Sequence, residues 1–347
     1  MSLTYNEVKQ QYTALKQTYD YMKSNREDIV SFIAKHGITS ITYVGCGSSY
    51  CLSKSAAFSN RLRAGLPSMA LAGGDLMLNT KRYEALLEKT LLVAPSRSGS
   101  TSEVVEAVKL IQAVKPVPVL AISSVTNSPL SQKADFALEL PWAFDHSVCQ
   151  TRNITNLYVA NLMIAAFLGN DESLIESIGT AISQGESYMA RVENAIRETA
   201  DFEWTNAVVL ADGELQGLAS EGAIALTEIA KVQAQSHHLL DVRHGPMVTV
   251  GPDTLVIAAL TKDGSEHQHK LMQDIKNRGA KIIAFGDHAS VVPADLVDLA
   301  IISDTELDIA AQGIPFIFIP QIAALSSAER QGINPDQPDG LTAWVKL

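Results

Sequence analysis

The chain has 347 residues, which is too long for one ordinary hydrophobic core and suits two domains of about 150 to 190 residues each. Apolar residues make up 46% of it and charged residues 19%, and no apolar run approaches the ~20 residues of a membrane helix. The net charge of −11 argues against a nucleic-acid partner, because a phosphate backbone is held by a basic face. We therefore expect a globular protein with no membrane span and no bound nucleic acid.

The N-terminus and the cysteines indicate the cellular compartment. Residues 1–25 lack the basic start, apolar core and cleavage site of a secretion signal. The three cysteines, Cys46, Cys51 and Cys149, are too few and too irregularly spaced for a disulfide framework or a zinc site. We predict a cytoplasmic protein with reduced thiols and no metal.

The first half of the chain begins with helices and continues with alternating strands and helices. Apolar residues at three- and four-residue steps predict one or two amphipathic helices up to about residue 36. Short apolar runs of strand length follow, separated by helical segments near 53–63 and 104–114. The runs cover residues 41–44, 91–94, 117–122 and 136–140. This alternation is typical of a parallel sheet that helices cover on both faces.

The second half repeats this architecture after a long connection. Residues 151–199 contain no strand-like run and are rich in Ala, Leu, Ile and Glu, which predicts helices that join two units. Strand-like runs resume afterwards, and each half begins with a strand that ends in a glycine-containing turn before a helix. The runs of the second half cover residues 207–211, 254–260, 281–285 and 299–302. We predict N-terminal helices over 1–36, a first domain over 37–186 and a second domain with a C-terminal tail over 187–347.

Small and hydroxyl-bearing residues follow three predicted strands of the first half. They form the segments Gly45-Cys46-Gly47-Ser48-Ser49, Ser96-Arg97-Ser98-Gly99-Ser100-Thr101 and Ser123-Ser124. In an open parallel sheet, ligands bind beyond the carboxyl ends of the strands, where loops lead into helix N-termini that favour negative charge. Serine and glycine are also ordinary turn and cap residues, but their recurrence at equivalent strand ends favours an anion site. Neither of the first two segments has the glycine-lysine pattern of a Walker A loop or a dinucleotide fingerprint.

Two carboxylates on one helix are candidates for acid–base chemistry. Glu221, Ala225 and Glu228 are spaced i, i+4 and i+7 in a helix predicted over 217–231, so they share one face. A carboxylate among Ala, Ile and Leu is expected to be partly desolvated, which raises its pKa toward that of a general base. A helical glutamate can also simply lie at the surface, form an ion pair or cap a helix.

One histidine is placed for proton transfer. His244 precedes Gly245-Pro246, which ends regular structure and presents the imidazole on a loop. Histidine titrates near neutrality and can pass a proton to the ring oxygen of a sugar. The adjacent His237 and His238 lack metal-ligand spacing, and we interpret them as structural or interface residues.

The order and spacing of several segments resemble the sugar isomerase (SIS) domain family, and the resemblance covers nearly the whole chain. The most similar members are tandem ones: the isomerase half of glucosamine-6-phosphate synthase, fructosamine-6-phosphate deglycases and amino-sugar-phosphate isomerase/deaminases. The segments are Cys46 to Tyr50, Ser96 to Thr101, Asp145 to Thr155, Glu221 to Glu228 with His244-Gly245-Pro246, and Asn334 to Pro338. The resemblance implies two tandem α/β domains, each a parallel sheet flanked by helices in a flavodoxin-like three-layer sandwich.

The resemblance also implies a substrate and residue roles. The substrate would be a sugar 6-phosphate, converted without a metal or organic cofactor. Glu228 would move a proton between C1 and C2, and His244, sixteen residues later as in the family, would open the ring from the neighbouring subunit of a homodimer. The phosphate would be held by Ser96, Ser98 and Thr101, with Arg97 where many relatives carry glutamine. The sugar would be lined by Gly47, Ser48, Ser49 and Glu221, with Val148 and Gln150 at the edge.

Two positions depart from the family pattern. In the synthase, one lysine lies three residues before the catalytic glutamate and another near the C-terminus. Here those positions are Ala225 and, if the tail aligns without a gap, Ala343, and Lys346 would replace the second lysine only if the tail shifts register. An ammonium at these places stabilises an enolate-like oxygen or holds the open-chain sugar, so its absence weakens a direct transfer of the synthase mechanism.

Three functions fit these patterns. The leading hypothesis is an aldose–ketose type isomerase acting on a sugar or amino-sugar 6-phosphate. The second is a deglycase or deaminase of fructosamine or amino-sugar 6-phosphates, because deglycase relatives also lack the helix lysine. The third, of another class, is a non-catalytic phosphosugar-binding regulator; the presence of both Glu228 and His244 favours turnover over this role.

Overall fold

The computed structural model describes residues 2–303, 305–345 and 347. Its first half contains three N-terminal helices and five strands that alternate with helices. In chain order these are α1 Leu3–Lys9, α2 Gln11–Ser24, α3 Arg26–Lys35, β1 Ser40–Gly45, α4 Ser48–Arg63, β2 Ser68–Ala72, α5 Gly73–Asn79, β3 Thr90–Ser96, α6 Ser102–Val114, β4 Val119–Ser123, α7 Pro129–Lys133 and β5 Phe136–Glu139.

The second half begins with three consecutive helices and then repeats the alternation. Its elements are α8 Arg152–Gly169, α9 Glu172–Ser183, α10 Gly185–Thr199, β6 Asn206–Leu210, α11 Gln216–Ala230, β7 Gln233–His237, β8 Thr254–Ala259, α12 Ser265–Lys276, β9 Lys281–Gly286, β10 Leu299–Ile302, α13 Gly313–Phe316 and α14 Phe318–Gln331. The predicted strand-free connection is confirmed as helices α8 to α10.

The strands form two five-stranded parallel sheets with the same internal order. The first sheet runs β2-β1-β3-β4-β5, and the second runs β7-β6-β8-β9-β10. This is the flavodoxin-like order, in which the chain reverses direction across the sheet beside its first strand. The predicted tandem α/β architecture is therefore confirmed.

Burial explains why the central strands are so apolar. Every residue of β3 and β8 is buried, because helices cover both faces of a parallel sheet. In the first sheet, Val44 and Leu92 pack with Val108 of α6. In the second, an equivalent cluster contains Val256 of β8 and Leu271 of α12.

Two strands, β2 and β7, have no counterpart among the apolar runs of the sequence. Both lie at sheet edges, and β7 has the polar sequence Gln233-Ala234-Gln235-Ser236-His237, none of which is fully buried. An edge strand pairs on one side only and needs little apolar surface. The pairing of β7 with β6 therefore depends on backbone hydrogen bonds, which the pattern of apolar residues does not predict.

The chain divides into two compact units, one around each sheet. The unit with the first sheet contains Gln10–His146, Gln150–Glu176 and Thr342–Leu347. The unit with the second sheet contains the N-terminal residues up to Lys9, Ser147–Cys149 and Ser177–Leu341. The domain boundaries at residues 36 and 186 stay a prediction.

Helix α1 is fastened to the second-sheet unit by a buried carboxylate. Glu193 of α10 accepts hydrogen bonds from Lys9 Nζ at 2.6 Å, Tyr5 OH at 2.8 Å and Arg197 Nε at 3.1 Å. Burial alone would raise the pKa of Glu193, but the hydrogen bonds from Lys9, Tyr5 and Arg197 outweigh it and lower that pKa. The carboxylate is therefore ionised at neutral pH, with three donors around it.

We expect Glu193→Gln to lower the free energy of unfolding by about 1–3 kcal/mol at pH 7, because Lys9 and Arg197 lose their charged acceptor and the amide offers only one acceptor oxygen. Since the folded-state pKa is lowered, this stabilisation is present above the unfolded pKa of about 4.3 and is lost as the pH falls through the folded value. Urea unfolding of both proteins between pH 3 and pH 7 measures the difference. A difference that stays constant as the pH falls would contradict a role for the ionised form.

Candidate functional site

Strand register brings the three hydroxyl-bearing loops of the first half together. Ser96 at the end of β3 pairs with Ser123 at the end of β4, and Tyr43 of β1 pairs with Val93 of β3. The carboxyl ends of these strands therefore lie side by side. The loops that follow, including Gly47 with its serines, share one edge of the first sheet.

Glycines allow the tight turn from β1 into α4. A side chain at Gly45 would place its Cβ 2.6 Å from the carbonyl carbon of Ser49, and Gly47 has φ +52°, a left-handed conformation that favours glycine. Ser48 and Ser49 begin α4 and are buried, and the Ser49 N–H donates to the Cys46 carbonyl at 3.1 Å. The predicted sugar-contact residues thus occupy the first turn of a helix at the sheet edge.

The loop between β3 and α6 is shaped by its own hydroxyls. Ser96 Oγ accepts from the Gly99 N–H, and Ser98 Oγ accepts from the Ser100 N–H, both at 3.1 Å. Gly99 has φ +57°, and a Cβ there would overlap Ser128 and lie 2.8 Å from Ser123 Oγ. Hydrogen bonds within the loop therefore fix its shape, and Gly99 packs against Ser123 and Ser128 at the end of β4 and after it.

Arg97 is a buried cation in this loop. The residue is only 3% exposed, and its guanidinium donates to the Ala343 carbonyl at 2.5 Å. The tail continues along the start of α6, where the Leu347 N–H donates to Ser102 Oγ at 3.0 Å. The backbone carbonyl of Ala343 therefore occupies one of the Arg97 donors. Lys346 lies outside the described residues.

The turn before α8 is organised by Asp145, which begins one of the segments that resemble the family but was assigned no role from the sequence. Asp145 is buried, and its Oδ2 accepts the N–H groups of Thr151 at 2.7 Å and Asn153 at 2.9 Å. These bonds fix the turn that carries Gln150. The Asn153 amide donates to Ser124 Oγ, which joins this turn to the loop after β4.

The two candidate carboxylates lie on α11, as predicted. Glu221 is buried and Glu228 is partly buried, with the buried Ala225 between them. Gly222 lets this helix approach α14 closely, since a Cβ there would be 2.9 Å from Pro320 Cγ.

Glu228 lines a cleft of about 410 Å³ at the C-terminal end of α11. Lys231 and Gln233 line it as well, and tail residues 338–341 form another part of its wall. Lys231 is the one cation among the described lining residues and ends the helix with φ +53°, a conformation uncommon for lysine. No sequence motif indicated Lys231, because its relation to the cleft depends on the fold.

His244 is exposed on a loop, as predicted, and that loop borders a different cleft. It follows a short 3-10 turn, Leu240–Arg243, and Gly245 after it has φ +125°. Arg243 is held by Asp274 of α12 through its Nε at 2.9 Å and a terminal nitrogen at 2.6 Å. Arg243, Gly245 and Asp274 line a cleft of about 430 Å³ that shares no described lining residue with the Glu228 cleft.

Other titratable groups near the strand ends have structural partners. Burial, together with the Glu103 carboxylate, raises the pKa of the Cys46 thiol, which disfavours the reactive thiolate. His238 Nδ1 lies 3.0 Å from Asp212 Oδ1 in the second-sheet unit. Across the part of the chain that the structure describes, no group of three or more His, Cys, Asp or Glu residues has metal-binding geometry.

Comparison with known proteins identifies the family. The SIS domain model matches residues 33–168 and 202–328. A curated relative, glutamine–fructose-6-phosphate aminotransferase (isomerizing) of Shewanella oneidensis, is 24% identical over an alignment of 357 positions, gaps included. The alignment covers 98% of this chain and 58% of that protein. The chain thus spans a little over half the length of such relatives.

Solved structures share the fold over nearly the whole chain. Tagatose-6-phosphate ketose/aldose isomerase from Escherichia coli has a TM-score of 0.85 at 22% identity, covering 99% of this chain and 96% of that one. Glucosamine-6-phosphate deaminase from Thermotoga maritima has a TM-score of 0.83 at 21% identity, covering 100% of both chains.

Of the residues described, none belongs to a helix long and apolar enough to cross a membrane.

Gly99 should be the least replaceable residue of the β3–α6 loop. Gly37 has a similar φ of +55° but open space around its Cβ position, so Gly37→Ala serves as a matched control. We expect Gly37→Ala to cost about 1–2 kcal/mol for the left-handed conformation, and Gly99→Ala about 1–3 kcal/mol more for the overlap with Ser128. Chemical unfolding of both variants measures the costs, and equal losses would contradict the steric explanation.

Proposed function

The chain belongs to the SIS domain family, and on that premise we propose that it is a phosphosugar isomerase acting on a sugar or amino-sugar 6-phosphate. One observation carries the proposal: three loops with buried serines, one of them containing the buried Arg97, share a single sheet edge. A phosphate is an anion that such an edge can hold even in an acidic protein.

Ser96, Ser98 and Thr101 are proposed to hold the phosphate, with Arg97 as the charged partner. Thr101 directly precedes α6, whose thirteen residues give the loop a helix N-terminus. A guanidinium presents several donors in a fixed plane that matches phosphate oxygens. Because Arg97 is buried, its interaction with the phosphate would be screened little by salt.

The sugar is proposed to contact the start of α4 and the turn before α8. Gly47, Ser48 and Ser49 offer small residues and hydroxyls, and Gln150 offers an amide that the Asp145 cap holds in place. Val148 adds an apolar edge. Glu221 is proposed to accept hydrogen bonds from sugar hydroxyls, consistent with a carboxylate enclosed on α11.

The proposed chemistry is ring opening followed by a proton shift. His244 protonates the ring oxygen as the C1 hydroxyl loses its proton, which gives the open-chain aldehyde. The Glu228 carboxylate then takes the proton from C2 and returns it to C1, while the two oxygens exchange a proton. Atoms and charge balance without an oxidant, a metal or an organic cofactor.

A homodimer is proposed to complete the site. Glu228 lines one cleft of the second-sheet unit and the loop of His244 borders another, so His244 is proposed to serve the neighbouring subunit. Val248, four residues after His244, is 80% exposed and offers apolar surface for such a contact.

We expect Glu228→Gln to abolish incorporation of solvent deuterium at C1 of a bound ketose 6-phosphate and at C2 of the aldose formed from it, while leaving binding intact. The amide keeps the size of the side chain but cannot accept a proton from C1 or C2. NMR of fructose 6-phosphate and tagatose 6-phosphate incubated in D₂O with each protein measures the exchange. Glu266→Gln, which removes an exposed carboxylate on α12, is the control. Unchanged exchange in Glu228→Gln would remove this residue from the mechanism.

A second reaction, deglycation or deamination, is supported by Ala225. This residue is 3% exposed and gives the face of α11 no amine beside Glu228. Such a site could still remove C2 or C1 protons from an amine adduct, because proton abstraction by Glu228 is common to both reactions. Release of ammonia or of an amino acid is the property that separates them.

A ligand panel distinguishes the candidate functions. The panel is fructose 6-phosphate, tagatose 6-phosphate, glucosamine 6-phosphate, fructosamine 6-phosphate and the same sugars without phosphate. A ligand at 100 times its Kd stabilises the fold by about 2.7 kcal/mol, which a thermal shift detects. Because the proposed site holds the phosphate, we expect thermal shifts with the phosphorylated sugars only. Isomer formation without ammonia supports the isomerase, and ammonia or amine release supports the alternative. Binding with neither turnover nor exchange would indicate a regulator.

A further inference from the structure

The N-terminal helix α1 and the C-terminal tail are joined by hydrogen bonds that neither the proposed chemistry nor the strand order explains. The Asp336 carboxylate accepts the Thr4 N–H at 2.7 Å and the Leu3 N–H at 2.9 Å. Thr4 Oγ1 lies 2.8 Å from Asp336 Oδ1 and 2.9 Å from the Pro335 carbonyl oxygen. A tail residue thus caps the first turn of a helix more than 330 positions earlier in the chain.

The ionised form of Asp336 suits this cap. Burial alone would raise its pKa, but the hydrogen bonds from Thr4 and Leu3 lower it. The carboxylate therefore presents two charged oxygens, one to each N–H group. An asparagine at this position would keep only one acceptor oxygen.

The same cap extends to the segment before α8. The Val148 N–H donates to the Asp336 carbonyl at 2.9 Å. On the other side of this segment, the buried Glu7 of α1 accepts from the Ser147 hydroxyl and from the Ser147 N–H at 3.3 Å. Helix α1 therefore holds both the tail and the backbone around Val148.

The tail that Asp336 fixes reaches the Glu228 cleft two residues later. Residues 338–341 line that cleft together with Glu228 and Lys231. We propose that Asp336 and Glu7 are positioning residues, which use α1 to set the wall of the Glu228 cleft and the backbone at Val148. The proposal rests on the proposed function, because it gives Glu228 and Val148 their importance.

Positioning predicts an effect on chemistry that exceeds the effect on phosphate binding. A small displacement of a reacting group lowers the rate of a step strongly, whereas the Ser96–Thr101 loop has no hydrogen bond to Asp336 among those described. A purely structural role would instead leave the activity of the folded fraction unchanged.

The test compares Asp336→Asn and Glu7→Gln with the unaltered full chain. Fructose 6-phosphate and tagatose 6-phosphate are the probes. Deuterium exchange at C1 of these ketoses and kcat are measured well below the melting temperature, and the Kd is obtained from the thermal shift at several probe concentrations. We expect exchange and kcat to fall about tenfold or more, and the Kd of the probes to change less than about twofold. Thr4→Val removes only the hydroxyl contacts with Pro335 and Asp336, so we expect a smaller fall in exchange and kcat. If the other two variants do not fold, the kcat of Thr4→Val decides whether the positioning proposal holds.

Asp171→Asn is the matched control. Asp171 likewise accepts a helix N–H, that of Leu174, and pairs with Arg63 at 3.3 Å. Arg63 ends α4, so Asp171 lies on the order of 20 Å from the Gly47 loop, given ~1.5 Å per helical residue. We expect this variant to lose stability but to keep kcat and exchange.

The outcomes separate this inference from the proposed function. Normal kcat in Asp336→Asn, with Glu228→Gln inactive, overturns positioning and leaves the function standing. Equal losses in Asp336→Asn and Asp171→Asn also overturn it, because general destabilisation would then explain the effect. Unchanged exchange in Glu228→Gln counts against the proposed function itself, whatever the tail variants do.

Discussion

Hydrogen bonding between parallel strands is the constraint on which the rest of this structure depends. Because the strands of a sheet run in one direction, their carboxyl ends lie at one edge, and register decides which loops are neighbours. The pairing of Ser96 with Ser123 and of Tyr43 with Val93 joins three loops that are far apart in the sequence. An anion site is possible there because helices begin where those strands end.

Charge and backbone geometry then define what this edge can hold. The net charge of −11 gives the protein no general attraction for phosphate, so binding has to come from local donors. Arg97 is buried at the edge, and Gly99 presses its loop against the next one. In the second-sheet unit, residues 338–341 form part of the wall of the Glu228 cleft, and Asp336 just before them is hydrogen-bonded to α1.

The sequence predicted the central strands because a strand covered on both faces must be apolar throughout, as β3 and β8 are. The edge strand β7 was not predicted, because its polar residues leave no apolar run. Glu221 and Glu228 were placed correctly on one helix, since their spacing depends only on helical periodicity. The roles of Asp145 and Lys231 were not predicted, because their relation to the site depends on contacts between separate segments.

By itself, the sequence determined the class of fold, its duplication, the glycine and serine loops and the helix face that carries the two glutamates. These properties follow from local periodicity and from the conformations that small residues permit. Only the tertiary structure decided that the Arg97 guanidinium meets the Ala343 carbonyl, that Asp336 caps α1, and that Glu228 and the loop of His244 belong to separate clefts. Such contacts join residues far apart in the chain, and they arise from packing that no local pattern encodes.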